Sequence, residues 1–164
     1  MLPDDSTRAA TLEAIYRIDV DVIGLPHGDT WVSHDVTAVA VWTPVVIALD
    51  PDDHERLTAV DELLGERAEP IADVDRSLRP PHGPVDWYLA TMGTTPELQG
   101  RGLGSAVLAP KLADLDHHRH VARLDTSDPG NVRFYERHGF TVIRHVTDLP
   151  HDAPATWTME RRPM

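Results

Sequence analysis

Six residues constrain this chain more than any others. They are Gln99-Gly100-Arg101-Gly102-Leu103-Gly104, set between a strand pattern at residues 85–92 and a helix face marked by Leu103, Val107, Leu108, Leu112 and Leu115. Alternating glycines let the backbone approach a ligand closely and turn its amides inward. The helix that follows adds unpaired N–H groups and the positive end of its dipole. This combination suits a phosphate. A Walker A loop would need a lysine after its last glycine, and none stands here. A dinucleotide fingerprint is G-x-G-x-x-G in the first βα unit, whereas this is G-x-G-x-G late in the chain. A tight strand-to-helix turn without a ligand is the plain alternative that these residues alone leave open.

The rest of the chain supplies alternating elements. Asp4, Asp5 and Ser6 can cap a helix carrying Ala10, Leu12, Ile15, Tyr16 and Ile18, which Gly24-Leu25-Pro26 stops. Residues 30–33 and 38–43 read as a hairpin around His34-Asp35. Asp50 and Pro51 open a second helix through Leu57, Val60, Leu63 and Leu64. Gly65 interrupts it, and Ile71, Val74 and Leu78 continue it. Residues 80–84, Pro-Pro-His-Gly-Pro, read as a loop and the best candidate for a mobile segment. Beyond the glycine turn come a strand at 121–124, a short helix at 131–138 closed by Gly139, and strands at 140–146 and 155–159. Pro110 lies inside the helix after the turn, where it deletes one helical hydrogen bond and should kink the rod at a cost of roughly 3 kcal/mol unless packing compensates. The alternation predicts an α/β fold: one mixed sheet with helices packed on it, as a single domain over 1–164.

Composition narrows the function. With no cysteine among 164 residues, a thiol nucleophile, a disulfide framework and a Cys-ligated metal are excluded. A net charge of −12 argues against a nucleic-acid partner and favours cationic or amine ligands. No apolar run reaches the ~18 residues of a membrane span. The first ten residues lack the basic and apolar regions of a signal peptide, so a cytoplasmic location is expected. His117, His118 and His120 lack the i, i+4 spacing that stacks two metal ligands, so no metal is expected. Trp31, Trp42, Trp87 and Trp157 fall on strand patterns and are expected in the core.

Gln-x-x-Gly-x-Gly opening a helix is followed by Asn131-x-x-Phe134-Tyr135-x-x-x-Gly139-Phe140. These two motifs, in this order, resemble the acyl-CoA site of the GNAT acetyltransferases. Four runs extend the likeness toward the puromycin N-acetyltransferase branch and its actinobacterial relatives: Trp31-Val32 with residues 38–43, then 87–91, 102–107 and 134–142. The resemblance implies a twisted mixed sheet of about six strands flanked by helices, with the family's first strand and helix absent. It implies acetyl transfer from acetyl-CoA to a primary amine of a small molecule, such as an aminonucleoside, by direct attack in a ternary complex.

The same resemblance assigns roles. Met92, Gly93 and Thr94 would hold the pantetheine and the thioester carbonyl. Amides of Gln99, Gly100, Arg101, Gly102, Leu103, Gly104 and Ser105 would bind the pyrophosphate. Asn131 and Phe134 would make the second cofactor contact. Tyr135 would protonate the departing thiolate, and Asp125, where relatives carry glutamate, would be the base. Asp86 and Glu97 are lesser candidates. Read without the family, Tyr135 could be a core tyrosine, Asp125 a strand-end carboxylate and Asn131 a helix cap. A start lacking the first strand would leave residues 30–33 with an unpaired edge, for which a homodimer is the expected cover. It would also allow a non-catalytic acyl-CoA-binding module that has lost its acceptor pocket.

Overall fold

The computed structural model describes residues 5–78, 83 and 85–164, with side chains from Arg8 onward. The caps expected at residues 4–6 and most of the loop expected at 80–84 lie outside what it describes.

Six strands form one sheet in the order β1-β2-β3-β4-β6-β5. They are β1 Asp29–Val32, β2 Ala38–Pro44, β3 Trp87–Thr94, β4 Ala122–Thr126, β5 Thr141–Val146 and β6 Thr156–Arg161. Only β3 and β4 run parallel; their neighbours pair antiparallel. A parallel pair needs a crossover, and helix α4, Leu103–His118, supplies it. The other helices are α1 Asp5–Asp19, continued by a π-helical turn Val20–Gly24, then α2 Pro51–Leu64, α3 Ala68–Leu78 and α5 Pro129–Glu136. The expected mixed α/β sheet is therefore what the chain forms. Gly65 separates α2 from α3 as expected, with φ +56°.

The core explains why α4 tolerates its proline. Val107, Leu108, Leu112 and Leu115 are buried on one stripe against Ala40, Trp42, Leu89, Leu124 and Met159 of the sheet. Burying each such side chain contributes about 1.5–3 kcal/mol. Together they outweigh the single helical hydrogen bond that Pro110 deletes, and α4 runs on through it to His118. Trp42 is buried in this core, and Trp87 and Trp157 pack against it. Trp31 does not join them: it stands on edge strand β1, 39% exposed.

Lys111, the chain's one lysine, is buried in the same helix. Its ammonium lies over the Trp87 ring, 3.1 Å from the centroid, and bonds Asp29 of β1 and Asp114 (3.1 Å). Both carboxylates stay more than a third exposed, so water can solvate them if the lysine is removed. Packing rather than charge then sets its worth. Lys111→Ala should cost about 3 kcal/mol and lower Tm by roughly 6–12 °C. Lys111→Met should cost less than half as much. Thermal denaturation of the two variants checks this; equal losses would assign the stability to the ion pairs instead.

Candidate active site

The turn after β3 exposes backbone donors. A short 3-10 turn, Pro96–Leu98, leads into Gly100 and Gly102, which have φ of +75° and +81°. Side chains are strained there, so glycine is the residue that lets this path form. Gly102 is the N-cap of α4, and no side chain caps that helix. Its first-turn amides are thus without intrahelical partners, and Gly102, Leu103, Gly104 and Ser105 line an open cavity. Gly104 is needed for a different reason. A Cβ there would stand 2.8 Å from Met92 Cε and 3.3 Å from Phe134 Cζ, so glycine lets the helix seat against both.

Strands β3 and β4 pair only at Trp87–Ala122 and Tyr88–Arg123. Past that point β3 stays paired with β2, with Ala90 skipped as a bulge between Leu89 and Thr91. The side of β3 facing β4 is left without ladder partners over residues 89–94. The two strands therefore open as a wedge, and a cavity of about 690 Å³ lies at its mouth.

That cavity gathers most of the site residues expected from sequence. Met92, Gly93 and Thr94 come from β3, and Gln99, Gly100, Gly102, Leu103, Gly104 and Ser105 from the turn and α4. Asn131, Phe134 and Tyr135 come from α5. Arg101 and Asp125 are not among its lining residues. Leu98, Asp128 and Arg137 line it without having been expected. Asp128 was legible: aspartate directly before Pro129 is an N-cap followed by a proline at the first helical position. Its carboxylate accepts from the Gly130 amide at 2.6 Å, so the cap of α5 is Asp128 rather than Asn131.

Tyr135 is buried between Phe134 and Phe140, with ring centroids 5.2 and 5.8 Å away. Among the described residues its hydroxyl reaches only the thioether of Met92, 3.8 Å away, a weak acceptor. Burial pushes the phenol up to about 12, so it holds its proton at neutral pH. The arrangement is a proton donor without a strong partner, facing a cavity.

Asp125 sits on β4 two residues beyond its last pairing with β3, at the edge of the wedge. Its carboxylate accepts hydrogen bonds from Tyr88 and from Thr158 at 2.6 Å. Burial and then the neighbouring Asp125 charge hold the Tyr88 phenol well above its usual range. Tyr88 is thus a fixed donor, orienting Asp125 across three strands. Of the lesser candidates, Asp86 accepts from the Val121 amide at 2.7 Å, and Glu97 lies exposed on the 3-10 turn. His118 pairs with Asp114 at 2.9 Å; among the described residues no group of three or more His, Asp and Glu could hold a metal.

A sequence model of the acetyltransferase (GNAT) domain matches residues 61–142, half of the chain, including the glycine turn and α5. Among solved structures, one described as histone acetyltransferase HPA2 and related acetyltransferase, from Corynebacterium glutamicum, aligns with TM-score 0.68 at 20% identity. The alignment covers 99% of this chain and 80% of that one. The ribosomal-protein-S18-alanine N-acetyltransferase of Escherichia coli aligns with TM-score 0.51 at 15% identity, over 93% of this chain and 88% of that one. At these identities the two structures speak for the fold alone, and the domain match carries the family. Glycine cradle, wedge and domain match agree, and the chain belongs to the GNAT acetyltransferases.

Proposed function

We propose that this protein transfers the acetyl group of acetyl-CoA to a primary amine of a small molecule by direct attack in a ternary complex. One observation carries the proposal: an uncapped helix N-terminus, an unpaired strand edge and a buried phenol converge on one cavity. Anion, amide and thioester each have a matching surface there.

Acetyl-CoA, the family's co-substrate, would supply the activated acyl group. The site's fit to it rests on the left-handed glycines at 100 and 102 and on the open first turn of α4. Amides of that turn, with the Gly100 and Arg101 backbone, would hold the pyrophosphate. The free edge at Met92, Gly93 and Thr94 would pair with the pantetheine amides and hold the carbonyl. Asn131 and Phe134 would bound the arm from α5. Asp125, held by Tyr88 and Thr158, would take the proton of an amine entering the wedge. The C–N bond forms as the C–S bond breaks, and Tyr135 delivers its proton to the leaving sulfur. The burial that raises the phenol also makes a thiolate beside it more basic, which keeps that transfer feasible. With no cysteine in the chain, a thioester on the enzyme has no cysteine to form on.

An aminonucleoside or a comparable antibiotic amine is the acceptor we propose. The net charge of −12 favours a cationic approach. A cytoplasmic setting fits the lack of cysteine. The test is mass spectrometry of an amine panel, puromycin included, after incubation with enzyme and acetyl-CoA. Gain of one acetyl group by a small amine is expected. Retention of CoA binding without acetylation of any amine would favour a binding module instead.

We further propose that the edge of β1 is covered by a second copy of the chain. Among the described residues β1 pairs with β2 alone, and Trp31 and Val32 on it are 39% and 50% exposed. Light scattering should give a dimer that weakens on dilution; a monomer at high micromolar concentration would contradict it.

A further inference from the structure

The first turn of α4 has a structural problem that its own sequence does not solve. Gly102 leaves it open for an anion, and the same openness leaves it without a capping side chain. Helix ends are where fraying starts, and this one lacks the side-chain cap that would restrain it. A turn that frays cannot present its amides at fixed positions.

His138 meets this need from another element. It lies three residues past Tyr135, beyond the end of α5, half-buried with its ring 4.5 Å from the Phe134 ring. Nδ1 is 2.8 Å from the Phe134 carbonyl oxygen, and Nε2 is 3.0 Å from Ser105 Oγ in the first turn of α4. A carbonyl only accepts, so Nδ1 carries the proton. In the neutral ring Nε2 then accepts, and the Ser105 hydroxyl donates to it. The ring is thereby a two-ended strut between the helix that carries Tyr135 and the turn that opens onto the cavity. Its backbone is anchored too: the His138 amide donates to the Tyr135 carbonyl (2.9 Å), and Arg161 Nε donates to the His138 carbonyl (3.1 Å). Arg161 is in turn bonded to Asp116 of α4 at 2.7 Å.

We propose that His138 is a positioning residue for acetyl-CoA: acting through Ser105, it fixes the uncapped first turn of α4 relative to Tyr135. The proposal rests on the reading that this turn holds the pyrophosphate. Binding energy then depends on the strut, whereas the chemical step at the sulfur does not, provided that the site is saturated.

The test is a double-mutant cycle on the intact protein, read by steady-state kinetics and by calorimetric titration with CoA. His138→Phe keeps the ring contact and removes both side-chain bonds. It should raise KM for acetyl-CoA and Kd for CoA about tenfold, with kcat at saturation and KM for the amine close to wild type. Ser105→Ala should do the same, and the double variant should be no worse than either single variant. His138→Gln, whose amide can still accept from Ser105, should recover part of the loss. An unchanged KM in His138→Phe, or losses that multiply in the double variant, would overturn the proposal. Should His138→Phe not fold, Ser105→Ala, which removes one hydroxyl, carries the test alone: a KM for acetyl-CoA and a Kd for CoA close to wild type in it would overturn the proposal. Wild-type protein that does not bind CoA would instead overturn the cofactor reading beneath it, so the two failures are distinguishable.

Discussion

Replacing Tyr135 by phenylalanine should lower kcat by on the order of 10²–10⁴-fold while leaving KM for acetyl-CoA nearly unchanged. The hydroxyl is bonded to nothing stronger than the Met92 thioether, so its removal orphans no strong partner. The ring stays packed between Phe134 and Phe140, so the fold should not suffer. In the role proposed for Tyr135, what is lost is a proton needed only as the thiolate departs. The sign with pH follows from the same group. Burial pushes this phenol up to about 12, and the donor form therefore persists throughout neutral and mildly alkaline conditions. The rate should show no alkaline fall assignable to Tyr135 below about pH 10. Steady-state kinetics on the variant decides: wild-type kcat would mean that water or another group protonates the sulfur.

The second large effect is at the glycines. Gly102→Asp forces a side chain into φ +81° at the helix N-cap, with strain of about 1–2 kcal/mol. It also sets a carboxylate where the dipole and amides attract an anion. Gly104→Asp drives the cavity wall inward, since even its Cβ would crowd Met92 and Phe134. Either variant should weaken CoA binding on the order of 100-fold or more, about 2.7 kcal/mol. Gly65→Asp is the control. It has φ +56° and open space around it, lies between α2 and α3, and pays the backbone strain without touching the cavity. Calorimetry should find its CoA affinity intact. Undiminished affinity in both Gly102→Asp and Gly104→Asp would remove the pyrophosphate from this turn.

Local chemistry made part of this readable from sequence. Gly100 and Gly102 specify a backbone path by themselves, and Leu108, Leu112 and Leu115 mark the buried face of α4 by spacing alone. The hairpin of β1 and β2 and the break at Gly65 are equally local. The wedge is not. Nothing within residues 89–94 or 125–126 says that the β3–β4 ladder stops after two pairs, because that depends on strands far apart in sequence. The three-strand contact of Tyr88, Asp125 and Thr158 is hidden for the same reason, separated by 37 and 33 residues. At Pro110 the local penalty is legible, whereas the burial of the α4 stripe that offsets it is supplied only by the tertiary structure. Residue type alone puts Trp31 in the core, whereas its exposure is set by β1 being an edge. His138 carries no sequence signal at all, because its partner Ser105 is 33 residues away.

Direct attack of an amine on acetyl-CoA, with both held in this site, is the mechanism proposed for this protein. Initial rates of thiol release, with acetyl-CoA and an accepted amine both varied, test it most directly. Direct attack requires amine-dependent release with intersecting double-reciprocal lines. Parallel lines, or thiol release indifferent to every amine supplied, would contradict it.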